Sequence, residues 1–332
     1  AVREVLQSDW LTQGPAIKRF EEAVAAYCGA KYAVAVSNAT AALHLACLAA
    51  GLGPGDLLWT SPNTFVASAN CGLYCGAEVD FVDIDPRTYN MSVDALEEKL
   101  IRAKKSGRLP KIVIPVHFAG QSCRMETIRK LADRYNFTII EDAAHAIGGS
   151  YLGKKIGASQ FSEMTVFSFH PVKIITTGEG GMVLTNREEL YEKLIRLRTH
   201  GITRDERLMT KPADGPWYYQ QIELGFNYRM TDIQAALGYS QLQRIDEFVR
   251  RRRYLAGRYD QMLKDLPVTL PWQDPDTYSA YHLYVIRLHL DQLKKSRKQI
   301  FKELRAAGID VNVHYIPVHT QPYYARMGFK AG

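Results

Sequence analysis

Residues 32–51, YAVAVSNATAALHLACLAAG, contain the unit from which most of the chain is built. YAVAVS is a short continuous apolar run of strand length. NATAALHLACLAAG follows at once, rich in helix formers and closed by a glycine. The same pairing recurs downstream. LLWTSP leads into helical FVASANCGLYCG, and AEVDFVDID reads as a strand before helical ALEEKLIRAKK. KIVIPVHF, METIRKLADRYN and FTIIEDAA then read as strand, helix and strand. TVFSF and GGMVLTN are two further strands, with a helix from about Glu188 to Arg198. Repeated βα alternation with short apolar strands predicts an α/β fold whose sheet is mostly parallel and covered by helices.

After this region the pattern changes. GITRDERLMTKPADGPWYYQQIELG is a long polar loop, of a length usually kept for function. From Thr231 one long helix is expected to run to about Leu266 and to carry the chain out of a large domain spanning 10–245. YHLYVIRLHL, helical RKQIFKELRAAG and IDVNVHYIPV then suggest a small α+β domain over 246–332. The chain starts without methionine and stops at MGFKAG, so this small domain is expected to be incomplete.

Composition narrows the function classes. The 332 residues are 46% hydrophobic, which suits a globular protein, and the net charge of +7 fits either an anionic substrate or plain solubility. No apolar run approaches the ~20 residues that cross a bilayer, and no signal peptide opens the chain. The expectation is a cytoplasmic protein without a membrane partner. The five cysteines (Cys28, Cys47, Cys71, Cys75, Cys123) lack metal-type spacing and read as reduced, buried thiols. The basic run Arg250–Arg253 reads as a solvated helix face, and no nucleic-acid reader motif accompanies it.

The first strand-to-helix turn, VSNATAAL, lacks G-x-G-x-x-G, and no Walker lysine motif occurs, which disfavours NAD and ATP chemistry. SNATAAL can still cradle a phosphate, because a small-residue turn that opens a helix offers free N–H groups at the positive end of its dipole. An ordinary helix cap would explain Ser37, Asn38 and Thr40 as well. FTIIEDAAHAIG ends an apolar strand in two carboxylates, where open α/β sheets place their ligands. Asp142 is the candidate to hold a pyridine nitrogen protonated, with Glu141 facing the other way and His145 near a cofactor ring; capping the next segment is the plain alternative for Asp142. FSFHPVKIITTGEGG, residues 167–181, places Lys173 where burial lowers the basicity of an amine and lets it attack an aldehyde. Ser168 and the threonines of the same stretch supply phosphate hydrogen bonds.

At these residues the chain resembles the DegT/DnrJ/EryC1/StrS sugar aminotransferases, nearly from end to end. The likeness is carried by SNATAALHLA, PNTFVASANCGLYCGAEVDFVDID, IEDAAHAIGGSYLGKKIG, FSFHPVKIITTGEGGMVLTN, LGFNYRMTDIQAALGYSQL and VNVHYIPVH. The resemblance implies a fold-type-I pyridoxal 5′-phosphate (PLP) transferase, with Lys173 as the Schiff-base lysine and Asp142 as partner of the ring nitrogen. Phe65 would stack on the ring, His145 would lie against it, and Ala39, Thr40 and Ser168 would hold the phosphate or lie next to it. Many relatives carry glycine and glutamine where Ala39 and His145 stand. Asn227 would reach the phosphate in the neighbouring subunit of a homodimer with shared active sites. Trp10, Leu11 and Thr12, together with His314, Tyr315, Ile316 and Pro317, would border a sugar nucleotide. SFHPVKIITTGEGG with SNATAAL most resembles the branch that aminates a UDP-linked 4-keto-6-deoxy-N-acetylhexosamine on the way to pseudaminic acid, with L-glutamate becoming 2-oxoglutarate. A perosamine- or bacillosamine-type 4-aminotransferase and a non-catalytic regulatory homologue are the alternatives. A dehydratase is disfavoured, because such members replace the lysine with histidine.

Overall fold

A seven-stranded sheet organises the computed structural model, which describes residues 1–330. Its strands are β1 (Tyr32–Val36), β2 (Leu57–Thr60), β3 (Glu78–Phe81), β4 (Ile112–Ile114), β5 (Thr138–Asp142), β6 (Met164–Ser168) and β7 (Gly181–Thr185). They lie in the order β1-β7-β6-β5-β4-β2-β3. Strand β7 runs antiparallel to both its neighbours, and every other pairing in the sheet is parallel. The mostly parallel sheet read from the sequence is therefore present.

The apolar runs follow from covering both faces. Along β1, Val34 and Val36 enter one buried cluster while Ala33 and Ala35 enter another. In β4 and β5, Ile112, Ile114 and Ile140 join the first cluster, and Val113 and Ile139 join a third on the opposite face. A strand apolar on both sides shows no alternation, which is why these segments read as continuous runs. Helices α1 (Pro15–Cys28), α2 (Ala39–Ala49), α3 (Ala67–Tyr74), α4 (Val93–Ser106), α5 (Met125–Tyr135) and α6 (Glu188–Arg198) supply the cover. All five cysteines are free and buried within it. No helix among the described residues is long and apolar enough to cross a membrane.

Three readings need correction. The single helix expected from Thr231 to Leu266 is two, α7 (Asp232–Leu242) and α8 (Ile245–Leu263). Asp246 and Glu247 occupy the first turn of α8, and Arg244 pairs with Glu247 across the break. Acid at a helix start complements its dipole and marks a new N-terminus. The break lets Ile245 and Val249 pack against the turn at Gly148, where an added Cβ would stand 2.7 Å from Val249.

The basic run is only half solvated. Arg250 and Arg251 are exposed, whereas Arg252 donates to the carbonyls of Tyr281 and His282, each at 3.1 Å. Arg253 donates to the Ser279 carbonyl and lies 3.8 Å over the Tyr278 ring.

Beyond α8, the helix α9 (Arg297–Ala306) forms where RKQIFKELRAAG placed it, but strand pairing is sparse. Only Arg287–Leu288 of YHLYVIRLHL pairs, with Val268–Thr269. IDVNVHYIPV makes no strand at all. Its backbone is instead fastened to the loop after β2, with Tyr315 N–H on Asn63 Oδ1 at 3.1 Å and Val318 N–H on the Pro62 carbonyl at 2.9 Å. Donors used this way cannot join a ladder. The last two residues assigned to the small domain, Ala331 and Gly332, lie outside the described residues.

Candidate active site

Strands β1, β5 and β6 end on the same edge of the sheet, and β7 begins there. Gly181 opens β7 between Val36 and Ser168. A Cβ at this glycine would fall 2.5 Å from the Asn38 carbonyl carbon and 2.6 Å from the Ala39 nitrogen. Its absence lets the turn into α2 settle directly on the strand edge. Above that edge opens a cavity of about 800 Å³, lined by Ala39, Thr40, Phe65, Asp142, His145, Ser168 and Lys173, among others.

Lys173 reaches the cavity from the β6–β7 loop, which is tied to itself. Lys173 N–H donates to the His170 carbonyl at 2.9 Å, and Thr176 Oγ1 and Thr177 N–H both donate to the Phe169 carbonyl. Burial pushes the Lys173 amine down to about 8 from its usual 10.5, against a smaller opposing pull from Asp142. In the protein without cofactor, covalent capture of PLP is therefore expected to accelerate as pH rises, with a midpoint near 8. The neutral amine is the nucleophile, and it predominates only above that point. Stopped-flow absorbance over a pH series reads this directly; a rate still climbing through 10.5 would mean an ordinary lysine.

The two carboxylates of β5 part company as the strand geometry requires. Glu141 faces the far side, where it bonds His117 Nε2 at 2.6 Å and the hydroxyls of Ser162 and Thr165. Cys123 N–H donates to His117 Nδ1, so the ring proton sits on Nε2 and points at Glu141. Asp142 faces the cavity side and is buried; its Oδ2 accepts from Ser68 Oγ at 2.6 Å and its Oδ1 from Ala144 N–H at 3.1 Å.

At the other end of the cavity, Asn38 Oδ1 caps α2 by accepting from Ala41 N–H at 2.8 Å. The Ala39 and Thr40 N–H groups, first in the helix, keep no intrahelical partner, and Ser168 lines the same cavity. Phe65 is 61% exposed, an apolar ring left at the cavity wall with nothing packed on its open face. His145 Nδ1 accepts from Ala119 N–H at 3.3 Å, leaving Nε2–H to donate to Tyr315 Oη at 3.3 Å. Burial, then the neighbouring Lys173 and His282, hold His145 well below the usual histidine range, so it is neutral.

His314 and Tyr315 also line the cavity. Trp10, Leu11 and Thr12 do not; they are exposed beside α7, where the Leu11 carbonyl accepts from Asp232 N–H. Ile316 and Pro317 lie off the wall, and Asn227 is exposed in a bridge with Thr199, away from this cavity. Two cavity-side residues had no signal in the sequence reading. Ser68 is one; the other is His282, whose ring lies 4.4 Å from that of His145 and whose Nδ1 is buried without a partner. Their roles depend on contacts across the fold, and only an apolar helix face (Ser68) or strand pattern (His282) surrounds them in sequence.

The model of the DegT/DnrJ/EryC1/StrS aminotransferase family matches residues 1–332. The chain belongs to this family. GDP-perosamine synthase of Caulobacter vibrioides is 41% identical over 98% of the chain and 83% of its own length. A UDP-4-amino-4,6-dideoxy-N-acetyl-β-L-altrosamine transaminase of Campylobacter jejuni is 39% identical, again over 98% and 83%. Among solved structures, Helicobacter pylori PseC, an aminotransferase of pseudaminic acid biosynthesis, superposes with a TM-score of 0.89 at 34% identity, covering 100% of this chain and 85% of that one. A sugar aminotransferase of Streptococcus pneumoniae in the family fold is known in PLP and PMP forms.

The chain is thus a PLP-dependent sugar aminotransferase of fold type I. The residues present suit the family's cofactor. Among the described residues, an amine with no hydrogen-bond partner shares a cavity with a hydroxyl-held aspartate, an uncovered aromatic face and amides at a helix start that lack an intrahelical partner. Those four features match an aldehyde, a ring nitrogen, a ring face and a phosphate.

Proposed function

We propose that the protein transfers the amino group of L-glutamate to C4 of a UDP-linked 4-keto-6-deoxy-N-acetylhexosamine, in the route to pseudaminic acid. The amino-transfer reading is carried by one observation: the unpartnered, weakly basic Lys173 amine in the same cavity as Asp142. The sugar is supported by the named activities of the Campylobacter and Helicobacter relatives.

When bound, PLP supplies an aldehyde that holds the amino group and a ring that takes up an electron pair. Lys173 would anchor it and, its amine once freed, would take and return the proton at the amino acid's Cα. Asp142 holds positive charge on the ring nitrogen, and its burial keeps that interaction strong. Phe65 covers one ring face, while neutral His145, its Nε2–H given to Tyr315 Oη, lies against the ring as an uncharged wall. Ala39, Thr40 and Ser168 fix the phosphate by backbone and hydroxyl donors.

The protein works as a cytoplasmic homodimer with shared sites. Asn227 serves the neighbouring subunit's phosphate, a role supported by its exposure away from its own cavity. Trp10, Leu11 and Thr12 border the sugar nucleotide together with the stretch from His314 to Pro317.

The test offers purified protein UDP-, GDP- and dTDP-linked 4-keto sugars with glutamate and follows product by mass. Amination of the UDP-linked N-acetyl sugar at C4, well above the others, is expected. The likeness to GDP-perosamine synthase favours a GDP-linked sugar as the second reading, and product from that arm alone would replace the first.

A further inference from the structure

Behind the Asp142 carboxylate stand two hydroxyls in series. Ser68 Oγ lies 2.6 Å from Asp142 Oδ2, and Thr64 Oγ1 lies 2.8 Å from Ser68 Oγ. Ser68 is 0% and Thr64 3% exposed, so bulk water does not compete for these bonds. An ionised carboxylate can only accept, which makes Ser68 the donor to Asp142. The Ser68 oxygen then takes its own hydrogen bond from Thr64. The direction of the whole series is set by the charge on Asp142. Were that charge lost, the Ser68 hydroxyl would turn to its other acceptor, the Phe65 carbonyl at 3.4 Å. Both hydroxyls flank Phe65 on one short segment, with Thr64 on the cavity wall and Ser68 in the first turn of α3. One element thereby sets the aromatic face and the carboxylate together.

We propose that Ser68, backed by Thr64, is a positioning residue that aims Asp142 at the cofactor's ring nitrogen and keeps the shared proton on that nitrogen. The proposal rests on reading Asp142 as the partner of the ring. A charge-assisted O–H bond stabilises the ionised carboxylate and fixes the rotation about its Cβ–Cγ bond. A second hydroxyl feeding the first strengthens it further by polarisation. Without Ser68, Oδ2 loses its protein donor, only the Ala144 N–H on Oδ1 still holds the carboxylate, and the proton moves toward it from the ring.

The experiment compares Ser68→Ala, Ser68→Thr, Thr64→Val, Asp142→Asn and the Ser68→Ala/Asp142→Asn pair as holoenzymes. Two readouts are used: single-turnover rate with glutamate, and the ¹⁵N resonance of ring-labelled PLP over a pH series. Ser68→Ala is expected to slow the single turnover by roughly 10- to 100-fold, the range of one hydrogen bond to a charge. KM for glutamate should stay within about twofold, because the bond acts on the reacting ring rather than on amino-acid binding. The ¹⁵N resonance moves toward the unprotonated position in Ser68→Ala, Ser68→Thr restores it, and Thr64→Val lies between. In the pair, removing Ser68 adds nothing to the loss already caused by Asp142→Asn. A resonance that moves in Asp142→Asn but not in Ser68→Ala overturns the proposal while leaving the assignment of Asp142 intact. A resonance unmoved in both removes the assignment and the proposal with it.

Discussion

Turnover is expected to fall by at least about 10⁴-fold when Lys173 is replaced by alanine, with the fold retained. The substitution removes both the group that anchors the cofactor and the base that moves the proton, and a positioned base alone contributes up to about 10⁴-fold. Stability moves the other way. The folded-state amine titrates near 8 and the unfolded one near 10.5, so below pH 8 the native protein carries the full cost of a charge in a poorly hydrated place. Alanine removes that cost. The thermal midpoint at pH 7 is expected to stay level or rise, and the advantage should vanish above pH 10.5. Borohydride reduction followed by intact mass gives the second check. The native protein gains one covalently held cofactor, and the variant gains none. Near-normal turnover in a folded Lys173→Ala protein would refute the assignment.

How far the sequence led depends on whether a feature is local. Strand β6 and the loop that carries Lys173 are contiguous in sequence, so the lysine's place at a strand end could be read from residues 167–181 alone. The parting of Glu141 from Asp142 followed from strand periodicity, and the structure puts them on opposite faces. Features made by distant contacts were not legible. Ser68 meets Asp142 across 74 residues, and Tyr315 meets Asn63 across 252. IDVNVHYIPV carries strand-like periodicity, yet its backbone donors are taken by the loop after β2, and no pattern of apolar residues signals that. Arg252 looked like one more charge on a solvated helix. Its use as a clamp on the Tyr281 and His282 carbonyls depends on a segment 29 and 30 residues away folding back against α8. The acidic first turn of α8 was a local signal that could have been read, because Asp246 and Glu247 stand next to each other within the helix's first three residues.

The adjacent carboxylates of β5 should give opposite phenotypes. Asp142→Asn keeps size and shape; its amide oxygen can still accept from Ala144 N–H, and Ser68 finds the Phe65 carbonyl, so the fold and thermal midpoint are expected to hold. What it removes is the negative charge opposite the ring nitrogen. In a buried site such a charge acts with little screening, and its loss is expected to slow single turnover with glutamate by roughly 10²- to 10³-fold. Cofactor affinity should suffer less, since the lysine, the phosphate cradle and Phe65 are untouched. Glu141→Gln reverses the pattern. Glu141 touches nothing in the cavity; it satisfies His117, Ser162 and Thr165 on the far face. Replacing it weakens charge-assisted bonds to a fully buried imidazole, at a cost of roughly 1–3 kcal/mol, which lowers the thermal midpoint. Its rate should remain within a few-fold of the native protein. The two variants differ by one position and the same chemical change, so each controls for the other. Equal rate losses in both would mean that the strand, rather than the charge at Asp142, governs the reaction, and a slow Glu141→Gln with a fast Asp142→Asn would place the ring on the wrong face of β5.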